Sequence, residues 1–306
     1  MPSAVYFFSM TTRMIGSRLA FVRRYAAAAL AERRREARTP ILPAPERPDP
    51  SSWPDDRLTL SWLGHATVLA NFFGHWLITD PALEPRVGIG RGFAKFGPRR
   101  LVAPALAARE LPPVDTVLLS HAHMDHTDLG TLARLRRDVH AVVQRGNRDL
   151  ARRFDRVVEL GWGERLAGDL EVESTPARHW GARVIKDTHR GYGGFLIRRQ
   201  GRSILFAGDT AYTDALTPLG RRERIDLAIL PIGAYDPWIN AHASPEEAWR
   251  MFSDLGARWL LPIHHATFRL SREPVEEPLA RLLVAAGPER DRIVGSEIGS
   301  TWTLPG

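Results

Sequence analysis

Residues 120–128 read SHAHMDHTD, which places three histidines and two carboxylates within eight residues. They follow the apolar run VDTVLLS, which predicts a buried strand that ends at the histidines. The whole chain has only eleven histidines, so this stretch holds an unusual share of them. Neutral imidazole and ionised carboxylate are both good ligands for zinc, iron or manganese. The stretch therefore indicates a metal site at the end of a strand.

The composition of the 306-residue chain fits one large globular domain or two small ones. There is no cysteine, so any metal must be held by His, Asp or Glu. The net charge of +7 is concentrated in residues 1–50, where nine Arg stand against three Glu and one Asp. The rest of the chain is nearly neutral, and the high charge is therefore weak evidence for nucleic-acid binding.

Residues 1–57 predict a basic N-terminal helix and a proline-rich strap, and residues 58–306 predict the folded domain. The helix is expected at about 17–38, and the strap at 39–56 contains six prolines in eighteen residues. No apolar stretch approaches the roughly 20 residues needed to span a bilayer. The helix can be read as a solvated helix, as a membrane-surface helix, or as a degenerate export signal.

Apolar runs of strand length alternate with helical patterns along the domain, which favours an α/β sandwich over an all-β fold. A hairpin is predicted where GGFLIRR and RSILFAGD flank the turn QG. A helix is predicted for TDLGTLARLRR, with Thr127 or Asp128 as N-cap. A second helix begins at Ser244, where Pro245 takes the first helical position and Glu247 completes a capping box.

The remaining candidate ligands also follow apolar strands: His179 comes after LEVESTPAR, Asp209 ends ILFAGD, and His264 ends LLPIH. Functional groups collect at such positions because rigid strands place them while loops leave them accessible. Within the first cluster, His121 and His123 share a face, since residues i and i+2 of an extended segment point the same way. Asp125 and His126 lie on the following turn and can face a second point. The cluster thus predicts two sub-sites, which are completed by ligands from elsewhere in the chain.

HAHMDH matches the H-x-H-x-D-H motif of the metallo-β-lactamase superfamily, and ARHWGAR, FAGDT and PIHHATF match its later motifs in order. Together with SWLGHATVL, LITDP, LPIGAYDPW and HASPEEA, these motifs resemble the subfamily of N-acyl-phosphatidylethanolamine-hydrolysing phospholipase D and its bacterial relatives. The ascorbate-6-phosphate lactonase group is similar but more distant. The resemblance covers about residues 53–303 and leaves out the leader. It implies a four-layer αββα sandwich with two metal ions between the sheets.

By position, the resemblance assigns the first metal to His121, His123 and His179, the second to Asp125, His126 and His264, and the bridge to Asp209. A water or hydroxide between the ions would act as nucleophile. The cofactors implied are two divalent ions, with Zn²⁺ first and Fe or Mn as alternatives, since a set of His and Asp ligands accepts all three. Asp125 and Asp209 therefore count as both catalytic and metal-binding residues.

Three further side chains are assigned supporting roles beside the metals. Asp80 is expected to accept a hydrogen bond from a ligand histidine, and His65 to position a neighbouring group, with a structural hydrogen bond as the alternative for both. His242 precedes a helix N-terminus, and its position in the related subfamily implies phosphate binding or leaving-group protonation. Tyr235 and Trp238 either line the same wall or pack in the core. Four other histidines are expected to be non-ligands: His75, His140, His189 and His265.

The resulting hypothesis is a dinuclear metal-dependent hydrolase, and most specifically a phospholipase D-like phosphodiesterase. The alternatives are a lactonase or carboxylic-ester hydrolase with the same ligands, a nuclease, and a non-catalytic metal-binding scaffold. The expected partner is a small-molecule or phospholipid substrate, with no nucleic acid. The expected location is cytoplasmic, with peripheral membrane contact through residues 1–38. The oligomeric state is left open by the sequence.

Overall fold

The computed structural model describes residue 36 and residues 39–90, 95–184 and 187–306. The chain divides into two compact units, Met1–Ile41 and Leu42–Gly306, and the second contains all the sheets described here. The predicted basic helix at 17–38 lies outside the described residues apart from residue 36. Within the described part of the chain, no helix has both the length and the apolar content needed to cross a membrane.

Two sheets form the centre of the second unit. The strands of the first sheet are β1 (Leu58–Gly64), β2 (Thr67–Phe72), β3 (His75–Thr79), β4 (Thr116–Leu119), β5 (His140–Gln144), β6 (Arg156–Leu160) and β13 (Thr301–Thr303). Their spatial order is β13-β1-β2-β3-β4-β5-β6. The strands of the second sheet are β7 (Arg165–Leu166), β8 (Glu171–Thr175), β9 (Gly194–Arg199), β10 (Arg202–Phe206), β11 (Leu227–Pro231) and β12 (Trp259–Ile263). Their spatial order is β12-β11-β10-β9-β8-β7.

Both sheets mix antiparallel and parallel pairs, and the parallel part brings strand ends together. Strands β3, β4, β5 and β6 pair parallel with one another in that order, as do β10, β11 and β12. The carboxyl ends of such strands meet at one edge of each sheet, so the segments after β4, β10 and β12 begin at common edges. The predicted hairpin is confirmed: β9 and β10 pair antiparallel, with Gln200 and Gly201 both at positive φ in the two-residue turn.

Alternating residues of the second sheet face two different apolar layers. Phe195, Ile197, Ile204 and Phe206 pack in the large cluster that also contains the first sheet. Leu205 and its neighbours on the opposite face pack in a separate cluster with the helices. Because side chains alternate across a strand, one face packs on the other sheet and the opposite face packs on helices. The predicted αββα sandwich is confirmed.

The described α-helices are α1 (Leu129–Leu132), α2 (Thr217–Arg222), α3 (Pro245–Leu255) and α4 (Glu277–Ala286), and short 3-10 turns occupy Pro50–Ser52, Ala108–Glu110, Arg148–Leu150 and Gly287–Arg292. Helix α3 begins as predicted, because the Ser244 hydroxyl accepts from the Glu247 N–H while the Glu247 carboxylate accepts from the Ser244 N–H. It ends at Gly256 in the left-handed region.

The helix predicted for TDLGTLARLRR is much shorter than the pattern indicates. Asp128 is its N-cap and accepts from the Thr131 N–H, as predicted, but the helix ends at Leu132. Beyond it, the N–H groups of Arg134 and Leu135 donate to carbonyls three residues back, which makes tight turns. The prediction that the helix continues past Leu132 is therefore wrong. A glycine at position 130 weakens so short a helix, and tertiary packing of Leu132 and Leu135 decides the path of the chain.

Candidate metal centre

The turn at 120–128 continues directly from β4 and is fixed by its own hydrogen bonds. The N–H groups of His126 and Thr127 donate to the His123 carbonyl at 3.2 and 2.8 Å, and the Thr127 hydroxyl donates to the His121 carbonyl at 2.7 Å. Asp128 then starts α1. The turn therefore presents its histidines from a closed and largely buried segment.

The second sheet approaches this turn very closely. Gly208, between β10 and Asp209, has φ +63°, and a Cβ there would lie 2.8 Å from Ser120 Cβ. Glycine is therefore required at this position both by the backbone conformation and by the contact. His264 follows β12 directly and is itself at φ +64°. The strand ends of both sheets thus meet at one place.

The first group of donor atoms comes from both sheets. His121 Nε2 lies 2.8 Å from His123 Nδ1, and His179 Nε2 lies 3.2 Å from the same atom. Asp209 Oδ2 lies 3.9 Å from His121 Nε2 and 3.7 Å from His179 Nε2. Nitrogens that share a tetrahedral zinc ion lie about 3.3 Å apart. The group has the spacing of a ligand shell, and one ligand atom from each of its four residues lies within 4.8 Å of the others.

A second group lies on the other side of Asp209. Asp125 Oδ2 is 3.8 Å from His126 Nε2 and 3.9 Å from His264 Nε2. Asp209 Oδ2 is only 3.1 and 3.2 Å from the same two nitrogens. The structure therefore brings all seven predicted ligands together and places one Asp209 oxygen between the two groups.

Several donor atoms of the cluster fit a cation better than they fit any protein group nearby. His126 Nε2, His264 Nε2 and Asp209 Oδ1 are buried and have no hydrogen-bond partner among the described residues. Such atoms are rare in folded proteins because leaving them unpaired costs free energy. A set of imidazole nitrogens and carboxylate oxygens without sulfur suits zinc, iron or manganese. The cluster is able to bind metal.

Hydrogen bonds on the far side of three rings set which nitrogen faces the cluster. The Ser120 hydroxyl donates to Asp80, so at 2.9 Å it accepts from His121 Nδ1. His126 Nδ1 donates to Asp80 Oδ2 at 2.7 Å, and His179 Nδ1 donates to the Ala241 carbonyl at 2.9 Å. In the neutral form of each ring, these bonds place the proton on Nδ1 and leave Nε2 free to coordinate a metal.

The electrostatics keep most of the cluster in its ligand form. Burial lowers the pKa of His121 well below its usual value and that of His123 to about 4. Burial alone would raise the pKa of Asp209, but the facing charges of His126 and His264 hold it well below its usual range. Neutral imidazoles and ionised carboxylates are the forms that bind metal.

His126 behaves differently and shows where positive charge is favoured. Burial disfavours its imidazolium, but the carboxylates of Asp209 and Asp125 outweigh burial and raise its pKa well above the usual value. Two carboxylates that converge in a buried site require a cation between them. A metal ion at this point would supply that charge and leave His126 neutral.

The residues predicted to support the ligands also lie at the cluster. Asp80 is fully buried, and besides His126 it accepts from the Ser120 N–H at 2.7 Å. His65 Nε2 lies 3.0 Å from Asp125 Oδ2, so it contacts a predicted ligand directly. Burial, followed by the charge on His264, lowers the pKa of His65 to about 3. A supporting role for both residues stays a prediction.

His242 stands at the edge of the cluster, with Nδ1 3.8 Å from Asp209 Oδ2. Its ring centroid is 5.0 Å from that of His179 and 5.1 Å from that of His264. Tyr235 is buried, and its hydroxyl donates to Glu277 at 2.7 Å, whereas Trp238 is 52% exposed. Trp238 is therefore the one of this pair with a free surface.

The sequence interpretation missed two neighbours of the ligands. Ser120 joins Asp80 to His121, and its only sequence signal is its place at the end of an apolar strand. Trp180 packs its ring 4.8 Å from that of His123 and 4.4 Å from that of His179, and it remains 44% exposed. Its signal is its place directly after a predicted ligand. Among the described residues, the four histidines expected to be non-ligands belong to no group that could hold a metal.

Comparison with known proteins identifies the family of the chain. The family model described as the beta-lactamase superfamily domain matches residues 75–265, which is more than half of the chain. An uncharacterized protein of Mycobacterium tuberculosis is 36% identical over 270 residues, covering 84% of this chain and 72% of that protein. The N-acyl-phosphatidylethanolamine-hydrolyzing phospholipase D 1 of Caenorhabditis elegans is 31% identical over 272 residues, covering 80% of this chain and 75% of that protein.

Solved structures give the same fold. A metallo hydrolase of the hyperthermophilic archaeon Ignicoccus hospitalis superposes with a TM-score of 0.59 at 21% sequence identity, and the match covers 81% of this chain and 99% of that chain. At this identity the likeness concerns the fold alone. Together with the family match and the His/Asp cluster between the sheets, it leads to one conclusion: the chain belongs to the beta-lactamase superfamily and is a metal-dependent hydrolase of that superfamily.

Proposed function

We propose that the protein is a dinuclear phosphodiesterase of the phospholipase D-like type. The observation that carries the proposal is the position of Asp209. Its Oδ2 lies 3.1 and 3.2 Å from the Nε2 atoms of His126 and His264, and 3.7 Å from that of His179. A carboxylate shared by two ligand groups is what a pair of neighbouring dications requires.

The proposed ligands are His121, His123 and His179 for one ion, Asp125, His126 and His264 for the other, and Asp209 for both. Zn²⁺ is the proposed metal, with Fe or Mn as alternatives that the same donors accept. When bound, the two ions would lower the pKa of a water and offset the negative charge of a phosphodiester. The chain supplies the geometry, because Asp80 and Ser120 fix the rings of His126 and His121 from behind.

Three side chains of the cluster have proposed catalytic roles. Asp125 and Asp209 hold the metals and keep the site anionic enough to retain them. His242 presents Nδ1, which is buried without a hydrogen-bond partner in the described chain, toward the same space. We assign His242 to donate a hydrogen bond to a phosphate oxygen or a proton to the leaving oxygen.

Two observations support a phospholipid as the phosphodiester. The Caenorhabditis elegans relative, with 31% identity over most of both chains, is an N-acyl-phosphatidylethanolamine-hydrolyzing phospholipase D. Trp180 lies against the rings of His123 and His179 and is 44% exposed, so it gives the mouth of the site an apolar surface. Such a surface suits a substrate with hydrocarbon next to its phosphate.

The proposal is tested on the zinc-reconstituted protein and on Asp209→Ala. Metal content is measured together with hydrolysis of bis-p-nitrophenyl phosphate and of a lactone. We expect about two metals per chain, and in Asp209→Ala a loss of phosphodiester turnover of more than about 100-fold, beyond the usual cost of an outer-shell partner. Asp214→Ala, an exposed carboxylate on the same segment, is the matched control and should match the wild type.

Other outcomes of this experiment would contradict the proposal and favour a different function. Two metals with turnover of the lactone alone would assign the protein to lactone or carboxylic-ester hydrolysis. Two metals with no turnover would favour a scaffold, and failure to bind metal stoichiometrically after reconstitution would contradict the metal centre itself.

We also propose that the protein is cytoplasmic and meets its substrate at a membrane surface through residues 1–38, and that it binds no nucleic acid. The proposal rests on the basic leader and on the near-neutral remainder of the chain. Co-sedimentation with vesicles that contain anionic lipid should fall when residues 1–38 are deleted. Salt-dependent binding of RNA would instead favour the alternative that the protein is a nuclease.

A further inference from the structure

The loop at 233–242, which links β11 to α3, supplies two groups to the metal centre. It carries His242, and its Ala241 carbonyl accepts the hydrogen bond that orients His179. Its first residue packs against His264, directly after β12, since a Cβ on Gly233 would lie 2.3 Å from the His264 carbonyl oxygen. After the loop, the Ala243 N–H donates to the Thr210 carbonyl at 2.9 Å. Both ends of the loop are thus fixed on segments that carry predicted ligands.

The first half of this loop is bonded to a single buried carboxylate. Glu273 Oε1 accepts from the Ala234 N–H at 2.6 Å and from the Ser271 hydroxyl at 2.6 Å. Its Oε2 accepts from the Asp236 N–H at 3.2 Å, and the Arg272 N–H donates back to the Asp236 carbonyl at 2.9 Å. Glu273 therefore joins the loop that follows β11 to the segment that follows β12.

Two features set this carboxylate apart from a surface glutamate. It is only 9% exposed, yet no basic side chain in the described part of the chain forms an ion pair with it. A buried carboxylate without a cation is unfavourable unless its hydrogen bonds are indispensable. One of those bonds goes to Ala234, which lies at φ +66°, a conformation that a residue with a Cβ adopts only when its surroundings impose it.

We propose that Glu273 is a positioning residue, which acts through the loop at 233–242 to hold His242 and the Ala241 carbonyl at the metal centre. The kinetic part of this inference rests on the proposed function. Among the described residues, the Glu273 carboxylate hydrogen bonds only to Ala234, Asp236 and Ser271. Its removal should leave the metal ligands in place but release the loop, so that His242 lies beside Asp209 in fewer molecules.

The test compares Glu273→Ala with Glu276→Ala in the full, zinc-reconstituted chain. Glu276 is an exposed glutamate three residues away and makes no side-chain hydrogen bond as the N-cap of α4, so it is a matched deletion. In Glu273→Ala we expect unchanged metal content and about tenfold faster amide hydrogen exchange across 233–242. The control should exchange like the wild type. Wild-type exchange in Glu273→Ala would overturn the proposal.

A double-mutant cycle separates positioning from general damage. Glu273→Ala should lower kcat for bis-p-nitrophenyl phosphate by about 10- to 100-fold, since small displacements of a catalytic group have effects of this size. In a His242→Asn background the same change should have little further effect, because the residue it positions is already lost. Fully additive losses would overturn the proposal, as would faster exchange with unchanged kcat.

Failure of this inference is distinguishable from failure of the phosphodiesterase proposal. Amide exchange needs no substrate, so it decides the anchoring role even if the wild type turns over no phosphodiester. If the wild type hydrolyses a lactone instead, the same cycle is run on the lactone. Glu273→Gln, which retains one acceptor oxygen, is the second variant should the alanine variant not fold. It should show an intermediate rise in exchange, and no rise would contradict the anchoring role.

Discussion

The two sheets hold their halves of the metal centre in different ways. On the first sheet, His121 hydrogen bonds to Ser120 and His126 hydrogen bonds to Asp80, and these two partners are fully buried and bonded to each other. On the second sheet, His179 donates a hydrogen bond to the Ala241 carbonyl in the loop at 233–242. Neither ring nitrogen of His264 has a hydrogen-bond partner among the described residues. One half is fixed by side chains of the sandwich, and the other half depends on loops.

This difference predicts that the two halves contribute differently to metal affinity and to turnover. Side chains that fix a ligand ring set its tautomer and basicity, so they control metal affinity. Loops that carry His242 can adjust to substrate, and in enzymes they often set turnover rather than metal binding. The first-sheet half should therefore be sensitive to changes in its buried carboxylate, and the second-sheet half to loss of the metal itself.

The largest effect is expected for Asp80→Ala. It leaves the Ser120 N–H and His126 Nδ1 without their acceptor in a fully buried site. We expect the free energy of unfolding to fall by about 3 kcal/mol and zinc affinity to fall by roughly 10- to 100-fold. Chemical denaturation and competition with a chelator measure the two effects.

Asp80→Asn sharpens this result. Its amide oxygen can still accept from the Ser120 N–H, but its NH₂ group cannot accept from His126 Nδ1. Most of the stability should return while zinc affinity stays low. Wild-type zinc affinity in both variants would mean that the first-sheet half needs no carboxylate behind its ligands.

Removal of the metal should affect the two halves unequally. After chelation, segments of the second sheet around His179 and His264 should exchange amide hydrogens about tenfold faster than before, because their ligands lose their main partner. The turn at 120–128 keeps its own hydrogen bonds and should change less. Exchange is measured on metal-loaded and metal-free protein. Equal increases in both halves would mean that the two halves depend on the metal to the same extent.

The sequence predicts the first-sheet half of the site better than the second-sheet half, for a physical reason. The ligands of the turn at 120–128 are close in the chain and follow one apolar strand, so spacing alone brings them together. The fold can also be predicted from the sequence, because alternating apolar runs, the QG hairpin and the Ser244 capping box are local signals. The structure contains each of them.

Contacts between distant segments are the part that the sequence does not reveal. The hydrogen bonds of Glu273 to Ala234 and Asp236 span 39 and 37 residues, and no periodicity links these positions. Ser120 shows the same limit, since its bond to Asp80 spans 40 residues. Helix α1 fails for a related reason: a helical pattern was present, but tertiary packing ended the helix after one turn.

A smaller effect is expected for Trp180→Ala, which tests the surface shared by the two halves. The ring contacts those of His123 and His179, one from each half, and is partly exposed. Metal content should be unchanged, and KM for a phosphodiester with an acyl chain should rise about threefold to tenfold, since the substrate loses an apolar contact. KM for bis-p-nitrophenyl phosphate should rise less. A loss of metal without a change in KM would assign Trp180 to ligand support instead.

The smallest effect concerns the far end of β9, where Arg198 donates to Glu223 through Nε and Nη2, both at 2.6 Å. The Arg198 hydrogen bonds hold the pKa of Glu223 below its usual value. A carboxyl whose folded pKa is depressed stabilises the protein above the unfolded pKa and loses that contribution as pH falls through the folded value. Glu223→Gln should therefore cost less than about 1 kcal/mol at pH 7, because the pair is partly exposed, and the cost should shrink as pH falls below the unfolded pKa of about 4.3 and through the folded pKa. Urea unfolding of metal-free wild type, Glu223→Gln and the exposed control Glu276→Gln across this range measures it. If the difference in free energy of unfolding between wild type and Glu223→Gln persists or grows in acid, Glu223 contributes by packing. The second sheet would then be stabilised by packing rather than by ion pairs in the part that lies away from the metals.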